Sequence, residues 1–132
     1  MIRLLRWALA FAVLVSASCG NGQPAEARPR SSATVAIAEP DANATVDTKT
    51  FRVEIDLEGG RIVKETSRDL TPDDGHVHVS IDGQIQSQTF GLVQDLKTPP
   101  PGKHLLQVEF VAKDHGPFEP RVVASIPFEV KR

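Results

Sequence analysis

Apolar and polar residues alternate one by one through most of the C-terminal hundred residues. Four long runs have this period of two, at 50–58, 76–82, 104–112 and 121–130. Successive side chains of a β-strand point to opposite faces, so each run predicts a strand with one buried face. Three shorter runs predict further strands at 34–38, 84–90 and 92–96. No segment carries the stripe of an amphipathic helix, and the pattern therefore predicts an all-β fold.

Turn residues divide these runs in a consistent way. Asp82-Gly83 is a strong hairpin signal, and the run from Pro99 to Gly102 forces a corner because proline cannot join a ladder. Pro127 inside the last run predicts an edge strand whose missing N–H faces away from its neighbour. About seven short strands in a hundred residues predict an immunoglobulin-like two-sheet sandwich, with 76–82 and 104–112 as antiparallel neighbours.

The N-terminus carries a different pattern. Arg3 and Arg6 precede an apolar core over 7–15, and small residues then lead to Cys19, the single cysteine. This is the layout of a secretory signal, and the apolar run is too short to span a membrane comfortably. The small residues before a lone cysteine resemble the lipobox of bacterial lipoproteins, which implies cleavage before Cys19 and its lipidation, palmitate included. An ordinary secreted protein with a free thiol is the alternative, although that thiol would be a liability in an oxidising compartment.

Three regions follow from these patterns. Residues 1–18 are expected to be a lipoprotein signal peptide, and 19–33, rich in Gly, Pro, Ser and Ala, a lipidated cysteine with a flexible linker. Residues 34–132 are expected to be the sandwich. The expected location is the extracytoplasmic cell envelope, at the outer membrane if the cell is Gram-negative. The expected partners are the membrane, through the lipid, and a protein of the envelope.

Charge and motifs exclude several classes of function. Removal of the signal lowers the Lys and Arg count from 15 to 13 while Asp and Glu stay at 17, which leaves a net charge of about −4. Nucleic-acid binding, which requires a basic surface, is not expected. Ser80 lies between His78 and Asp82 on one strand face, but a mid-strand serine offers neither an exposed nucleophile nor an oxyanion hole. The sequence therefore predicts a protein that is not an enzyme.

Histidines form the one grouping that suggests chemistry. His76 and His78 share the polar face of one predicted strand, and His115 lies in the turn after its expected neighbour. The predicted strand order brings all three to one end of the domain. Carboxylates expected as supports at that end are Asp74, Asp114 and Glu119. Imidazole and carboxylate ligands suit Zn²⁺ or Cu²⁺, so a metal site is one hypothesis. The alternative is structural: the rings bond loop carbonyls and hold the long connection over 58–75 in place.

His104 has a different expected role. It shares parity with Leu106, so its ring should point inward at the start of a strand, beneath the Pro99–Gly102 corner. Sandwiches of this type often place a tyrosine there to bond the turn backbone, and this chain has no tyrosine. His104 is therefore predicted to be the structural residue of that corner rather than a ligand.

Taken together, three segments resemble a known pattern. They are similar to segments of uncharacterised bacterial secreted immunoglobulin-like domains. The segments are Gly75-His76-Val77-His78 leading to Asp82-Gly83, then Pro101-Gly102-Lys103-His104, then Asp114-His115. That resemblance implies a fold and an exported location rather than an activity. The favoured function is a lipid-anchored, non-catalytic binding or accessory module of the envelope. A Zn²⁺- or Cu²⁺-binding or metal-delivery protein is the alternative.

Overall fold

The structure is a computed structural model that describes residues 27–131. The predicted signal over 1–18 and Cys19 lie outside the described residues. Within 27–131 the chain forms strands and no helix, so no helix there is long and apolar enough to cross a membrane. The strands are β1 (Thr34–Glu39), β2 (Thr45–Val46), β3 (Thr50–Glu58), β4 (Arg61–Ile62), β5 (Asp74–Ile81), β6 (Gln84–Ser87), β7 (Val93–Lys97), β8 (Gly102–Ala112) and β9 (Pro117–Val130).

These strands build two sheets. One has the order β1-β3-β7, and the other has the order β2-β9-β8-β5-β4 with β6 paired to β5. The predicted neighbours, β5 and β8, run antiparallel with His78 opposite Glu109. β9 pairs with β8, and β6 pairs with β5. The two sheets form an immunoglobulin-like sandwich, so the predicted fold class is confirmed.

The alternation of the sequence explains the core. Apolar residues on the inward face of each strand meet between the sheets, and Phe110, Phe118 and Phe128 are the largest of them. Fully burying a side chain of this size contributes about 1.5–3 kcal/mol. The polar partners of each run face outward, so the same alternation that predicts strands also predicts which face packs.

The edge position predicted from Pro127 is met only in part, because β2 pairs parallel with the last residues of β9, with Thr45 opposite Glu129 and Val46 opposite Val130. Glu129 and Lys131 donate their N–H groups away from β8, to the carbonyls of Ala44 and Val46 at distances of 2.9 Å. Pro127 lies two residues before Glu129, so its nitrogen also points away from β8, and its carbonyl accepts the N–H of Asn43 at 2.7 Å just before β2 begins.

Several boundaries differ from the sequence prediction. The strand expected over 84–90 ends at Ser87, and β9 begins at Pro117 rather than at residue 121. A bulge after Phe110 allows β9 to keep pairing as far as Pro117, which lies opposite Val111. The turn expected over 114–120 is therefore only 113–116. The long connection after β3 contains β4, whose Ile62 pairs parallel with Gly75.

The linker expected to be flexible over 19–33 is partly bound to the domain. Residues 27–33, called the N-terminal strap below, form no strand, but Ala33 is buried against the core. Arg28, Ser31 and Ser32 bond to acceptors on two loops. The polar side chains of this segment therefore have partners in the domain that composition alone does not reveal.

Candidate functional site

His76, His78 and His115 come together as the sequence predicted, and we call them the histidine cluster. The ring centroids of His76 and His115 are 4.3 Å apart, and those of His78 and His115 are 5.2 Å apart. His78 Nε2 and His115 Nδ1 are 2.9 Å apart, within hydrogen-bond distance. The cluster lies at one end of the domain, called the rim, where the β4–β5 connection and the β8–β9 turn meet.

Strand register and one tight turn position these rings. His76 and His78 lie on the face of β5 that points away from the core, opposite Val111 and Glu109 of β8. His115 has a φ of 64°, a left-handed conformation, and its N–H donates to Ala112 O at 2.9 Å. This conformation reverses the chain so that the His115 ring lies against the two histidines of β5.

His76 is fully buried even though it lies on the outer face of its sheet. The β4–β5 connection covers it, and its Nε2 is 3.1 Å from Glu65 O. A carbonyl only accepts, so the neutral ring carries its proton on Nε2 and leaves Nδ1 as a bare lone pair. Among the described residues Nδ1 has no well-aligned hydrogen-bond partner, but the backbone of Val63 lies near enough to raise the pKa of the ring. The bond to Glu65 is the loop contact that the structural alternative expected.

Burial sets the charge of the cluster. Burial lowers the pKa of His76 and of His78 below the usual 6.5, and the neighbouring His115 lowers both further. The nearby Glu109 carboxylate opposes this effect on His78. Both β5 rings are therefore neutral at pH 7. The contact between His78 and His115 needs one donor and one acceptor, so only one of the two facing nitrogens carries a proton.

The carboxylates expected to support a metal are occupied elsewhere. Asp74 accepts two bonds of 2.8 Å from Arg61, and Asp114 accepts two from Arg28, which lowers the pKa of Asp114 to about 2. Glu119 is exposed on β9. Within 27–131, no group of three or more His, Cys, Asp or Glu is arranged to hold a metal ion. The expected carboxylate support is therefore not met, because neighbouring arginines bind two of these side chains.

Sequence reasoning missed several polar residues around the cluster. Thr66 Oγ1 lies 3.3 Å from His115 Nε2, and the buried Lys113 places its Nζ 3.6 Å from Glu65. Beside His78, the buried Glu109 is held by Arg121 through two bonds. Glu109 does stand at a polar position of its run, but its pairing with Arg121 depends on the β8–β9 register, which the pattern does not give.

Strand packing explains the glycine that precedes His76. A Cβ atom on Gly75 would stand 1.9 Å from Val111 O on β8. No side chain fits there, so the glycine of the Gly-His-x-His segment is required by the close approach of β5 to β8.

His104 lies in the corner that the sequence predicted, at the end of the domain opposite the rim. Its Nδ1 is 2.7 Å from Asp82 Oδ2 and its Nε2 is 2.7 Å from Pro100 O, in the turn before β8. The bond to Asp82 raises the pKa of His104 above 6.5. A cleft beside it is lined by Asp82, Lys97 and Pro99 among others. Both ring nitrogens have partners, so His104 presents no open nitrogen to that cleft.

Comparison with known proteins gives likeness of fold only. No family model and no curated protein matches the chain. An endo-β-1,4-mannanase from Thermotoga petrophila is similar at 18% identity with a TM-score of 0.50, over 76% of this chain and 20% of that one. The fibronectin(III)-like modules of CbhA from Clostridium thermocellum are similar at 14% identity with a TM-score of 0.49, over 74% of this chain and 97% of that one. This chain thus spans a fifth of the mannanase.

Proposed function

We propose that this chain is a lipid-anchored, extracytoplasmic binding module of the cell envelope without catalytic activity. The observation that carries this proposal is the rim, where a long connection and a tight turn meet around the histidine cluster. A sandwich of this type holds loops on a rigid scaffold, and binding residues are often carried by such loops. Fold alone does not specify function, so the proposal depends on these loops.

The proposed anchor would keep the rim close to the membrane. Cys19 precedes Ala27, where the described chain begins, by eight positions. Eight residues reach at most about 28 Å when extended and about 16 Å on average as a random coil. A lipid on Cys19 would therefore place the rim, where the strap is bound, nearer to the bilayer than the end that carries His104.

Two measurements test the anchor. Mass spectrometry of the mature N-terminus is expected to find acylated Cys19 as the first residue. Cell fractionation is expected to recover the natural chain with membranes and the Cys19→Ala variant without them. An unmodified Cys19, cleavage at another position, or equal membrane recovery of the two chains would contradict the lipid anchor.

A third experiment tests the rim as the binding end. A photo-crosslinking amino acid replaces Lys64 at the rim or, as the matched control, Lys49 at the other end; both side chains are exposed. Crosslinks to an envelope protein are expected from position 64 and not from position 49. Equal crosslinking from both ends would contradict a partner that binds at the rim.

Binding or delivery of Zn²⁺ or Cu²⁺ is a second candidate function. It is favoured by the grouping of three imidazoles, in which His78 Nε2 approaches His115 Nδ1 to 2.9 Å. Neutral imidazoles are the form that binds these metals, and the bond of His76 to Glu65 O orients the ring as carbonyl partners orient the histidines of known metal sites. The chain would supply imidazoles, and water or a partner would complete the coordination.

Calorimetric titration separates the second candidate from the first. The chain is expected to bind Zn²⁺ or Cu²⁺, and the His76→Ala/His78→Ala double variant is expected to lose that binding. His104→Ala serves as the control because His104 lies at the other end of the domain. The metal affinity of this variant should equal that of the parent. Equal titration curves for the double variant and the parent would end the metal hypothesis.

A further inference from the structure

The outer face of the larger sheet carries most of the large apolar side chains that the domain exposes. Ile85, Leu105 and Val123 point outward from β6, β8 and β9 and are all exposed. Phe90 is exposed as well and borders this face beside the histidine cluster. Within residues 27–131, Val93 is the only other exposed large apolar side chain, and it belongs to the smaller sheet. Such a concentration of apolar side chains on one face indicates an interaction surface.

The centre of this face is uncharged. Strand register aligns one row of residues across four neighbouring strands, which we call the central row: Ile85 on β6, Ser80 on β5, Gln107 on β8 and Ser125 on β9. Adjacent strands lie about 4.8 Å apart, so the row is about 14 Å long from its first Cα to its last. Side chains without charge can be covered without the large cost of burying an unpaired ion.

Charge distinguishes the two outer faces of the sandwich. Apart from histidines, the charged residues at outward strand positions of the larger sheet are two bases and two acids, a net charge of zero: Lys103, Arg121, Glu109 and Glu129. Each acid has a base beside it, because Arg121 bonds Glu109 and Lys103 lies opposite Glu129. The smaller sheet carries two bases and four acids at its outward positions, a net charge of −2: Arg52, Lys97, Glu54, Asp56, Glu58 and Asp95. Like charges therefore oppose contact of the smaller sheet with its own copy, whereas the larger sheet can meet its copy without net repulsion.

The size of the face matches a small protein interface. Four strands about 4.8 Å apart cover about 20 Å, and residues 103–111 of β8 extend about 30 Å. Stacking this face on an equal surface would bury about 600 Å² on each side, or about 1,200 Å² in total, which is the lower end of the range for specific interfaces. The area is therefore sufficient for a weak dimer.

We propose that a second copy of this chain covers the outer face of the larger sheet and forms a two-fold symmetric dimer. A two-fold axis parallel to the strands, between β5 and β8, lays β6 of each copy over β9 of the other. Ile85 of each copy then faces Ser125 of the other at the same height, because both belong to the central row. Both rims lie at the same end of this dimer, as two anchors in one bilayer would require. The dimer itself depends neither on the anchor nor on a metal.

Sedimentation equilibrium of the purified full chain in density-matched detergent measures the dimer. For an interface of this size we expect a dissociation constant on the order of 10 μM. Ile85→Arg should weaken the dimer by about tenfold or more, because it places a cation against the uncharged row twice in each dimer. Val93→Arg is the matched control and should keep the parental constant. Both positions lie on edge strands and are equally open, at 54% for Ile85 and 53% for Val93, but Val93 belongs to the other sheet.

A charge pair tests the arrangement of the two copies. Ser125→Glu alone should weaken the dimer, as Ile85→Arg does. The Ile85→Arg/Ser125→Glu double variant should bind its copy more tightly than either single variant, because each new base faces a new acid of the other copy. Within one chain the two positions are about 14 Å apart, too far for a direct ion pair.

Crosslinking in cells identifies the occupant of the face. The cells produce two differently tagged copies of the full chain, with a photo-crosslinking amino acid at position 125 or, as the control, at position 56 on the smaller sheet. Ser125 and Asp56 are both exposed. Products that carry both tags are expected from position 125 and not from position 56.

Each outcome supports or overturns the dimer. A parent chain that stays monomeric up to about 1 mM, a hundredfold above the expected constant, would overturn it. Equal constants for Ile85→Arg and Val93→Arg, or a double variant no tighter than the single ones, would overturn the proposed face and its two-fold arrangement. Crosslinks from position 125 to a different protein alone would assign the face to that protein and overturn the second copy. Circular dichroism checks that each variant folds, and if Ile85→Arg does not, Ser125→Glu decides. Failure of the dimer leaves the proposed binding at the rim standing, because that proposal is tested from position 64.

Discussion

Replacement of His104 by alanine is expected to destabilise the domain more at acidic pH than at alkaline pH. The ring bonds Asp82 and Pro100 O, and its centroid lies 5.5 Å from that of Phe128 in the core. Its side chain is 12% exposed, so solvent replaces these contacts only in part. The substitution removes two hydrogen bonds and leaves the turn before β8 without its side-chain donor.

The expected loss follows from the two bonds. A neutral hydrogen bond contributes about 0.5–1.5 kcal/mol, and one to a charged partner about 1.5–3 kcal/mol. Asp82 is 51% exposed, so the charged contribution belongs at or below the lower end of that range. We expect a loss in the free energy of unfolding of about 2 kcal/mol when His104 is protonated and about 1 kcal/mol when it is neutral. For a domain of this size, 1 kcal/mol corresponds to about 5 °C in Tm.

The direction of the pH dependence follows from the pKa of His104. The bond to Asp82 raises that pKa in the folded state above 6.5. The charge-assisted contribution is therefore fully present below pH 6.5 and is lost as the pH rises through the folded-state pKa. The difference between parent and His104→Ala should thus be larger at about pH 5.5 than at about pH 9, values that lie on either side of this transition.

Urea unfolding at both pH values measures these differences. Comparison at equal pH cancels the titration of the other histidines, which both chains share. His104→Gln retains a donor for Pro100 O without the charge, so its deficit relative to the parent should depend on pH as that of His104→Ala does, and the difference between the two variants should not depend on pH. Asp82→Asn and the double variant complete a cycle that isolates the ion pair. A deficit for His104→Ala that is equal at both pH values, or that grows at alkaline pH, would refute the reasoning.

Three further predictions concern the rim. Gly75→Ala should destabilise the domain by about 3 kcal/mol or more in urea, because its Cβ would stand 1.9 Å from Val111 O. The pKa of Asp114 is lowered to about 2, so the stability that its carboxylate contributes is present above pH 3.8 and is lost as the pH falls toward about 2. Hydrogen exchange of the peptide 27–33 should therefore accelerate over that interval. Asp114→Asn should abolish this acceleration. His76→Phe should change stability by less than about 1 kcal/mol, because it removes one bond and also one unpaired buried nitrogen.

Period-two alternation made most of the fold predictable. Alternation fixes which residues can face a core, and Asp82-Gly83, with φ values of 51° and 80°, fixes the hairpin between β5 and β6. Antiparallel pairing of the strands carrying Val77 and Val108 then follows from the sandwich topology. The convergence of the histidines depended only on that pairing, and the structure does bring the three rings together.

Contacts between residues distant in sequence were not predictable in the same way. Arg28 stands in a stretch whose composition suggests disorder, and its bond to Asp114 spans 86 positions. Nothing local marks such a pair, and the same holds for Ser31 with Asp73. The metal hypothesis assigned Asp74 and Asp114 as supports from their places in the sequence, which do not reveal that Arg61 and Arg28 bond these carboxylates.

The two ring nitrogens of His76 differ in their surroundings: Nε2 bonds a loop carbonyl, and Nδ1 has no well-aligned partner among the described residues. The bond from His76 Nε2 to Glu65 O holds the β4–β5 connection over the sheet, which is a sufficient reason for a polar side chain at that position. Nδ1 has no well-aligned partner, and an unpaired buried acceptor costs about 1–3 kcal/mol. A small domain without a described disulfide has little stability to lose in this way. Attachment of the loop through Glu65 O, together with packing on Phe90 and His115, accounts for the position of the His76 ring, and a ligand at Nδ1 is a proposal that the calorimetric titration tests.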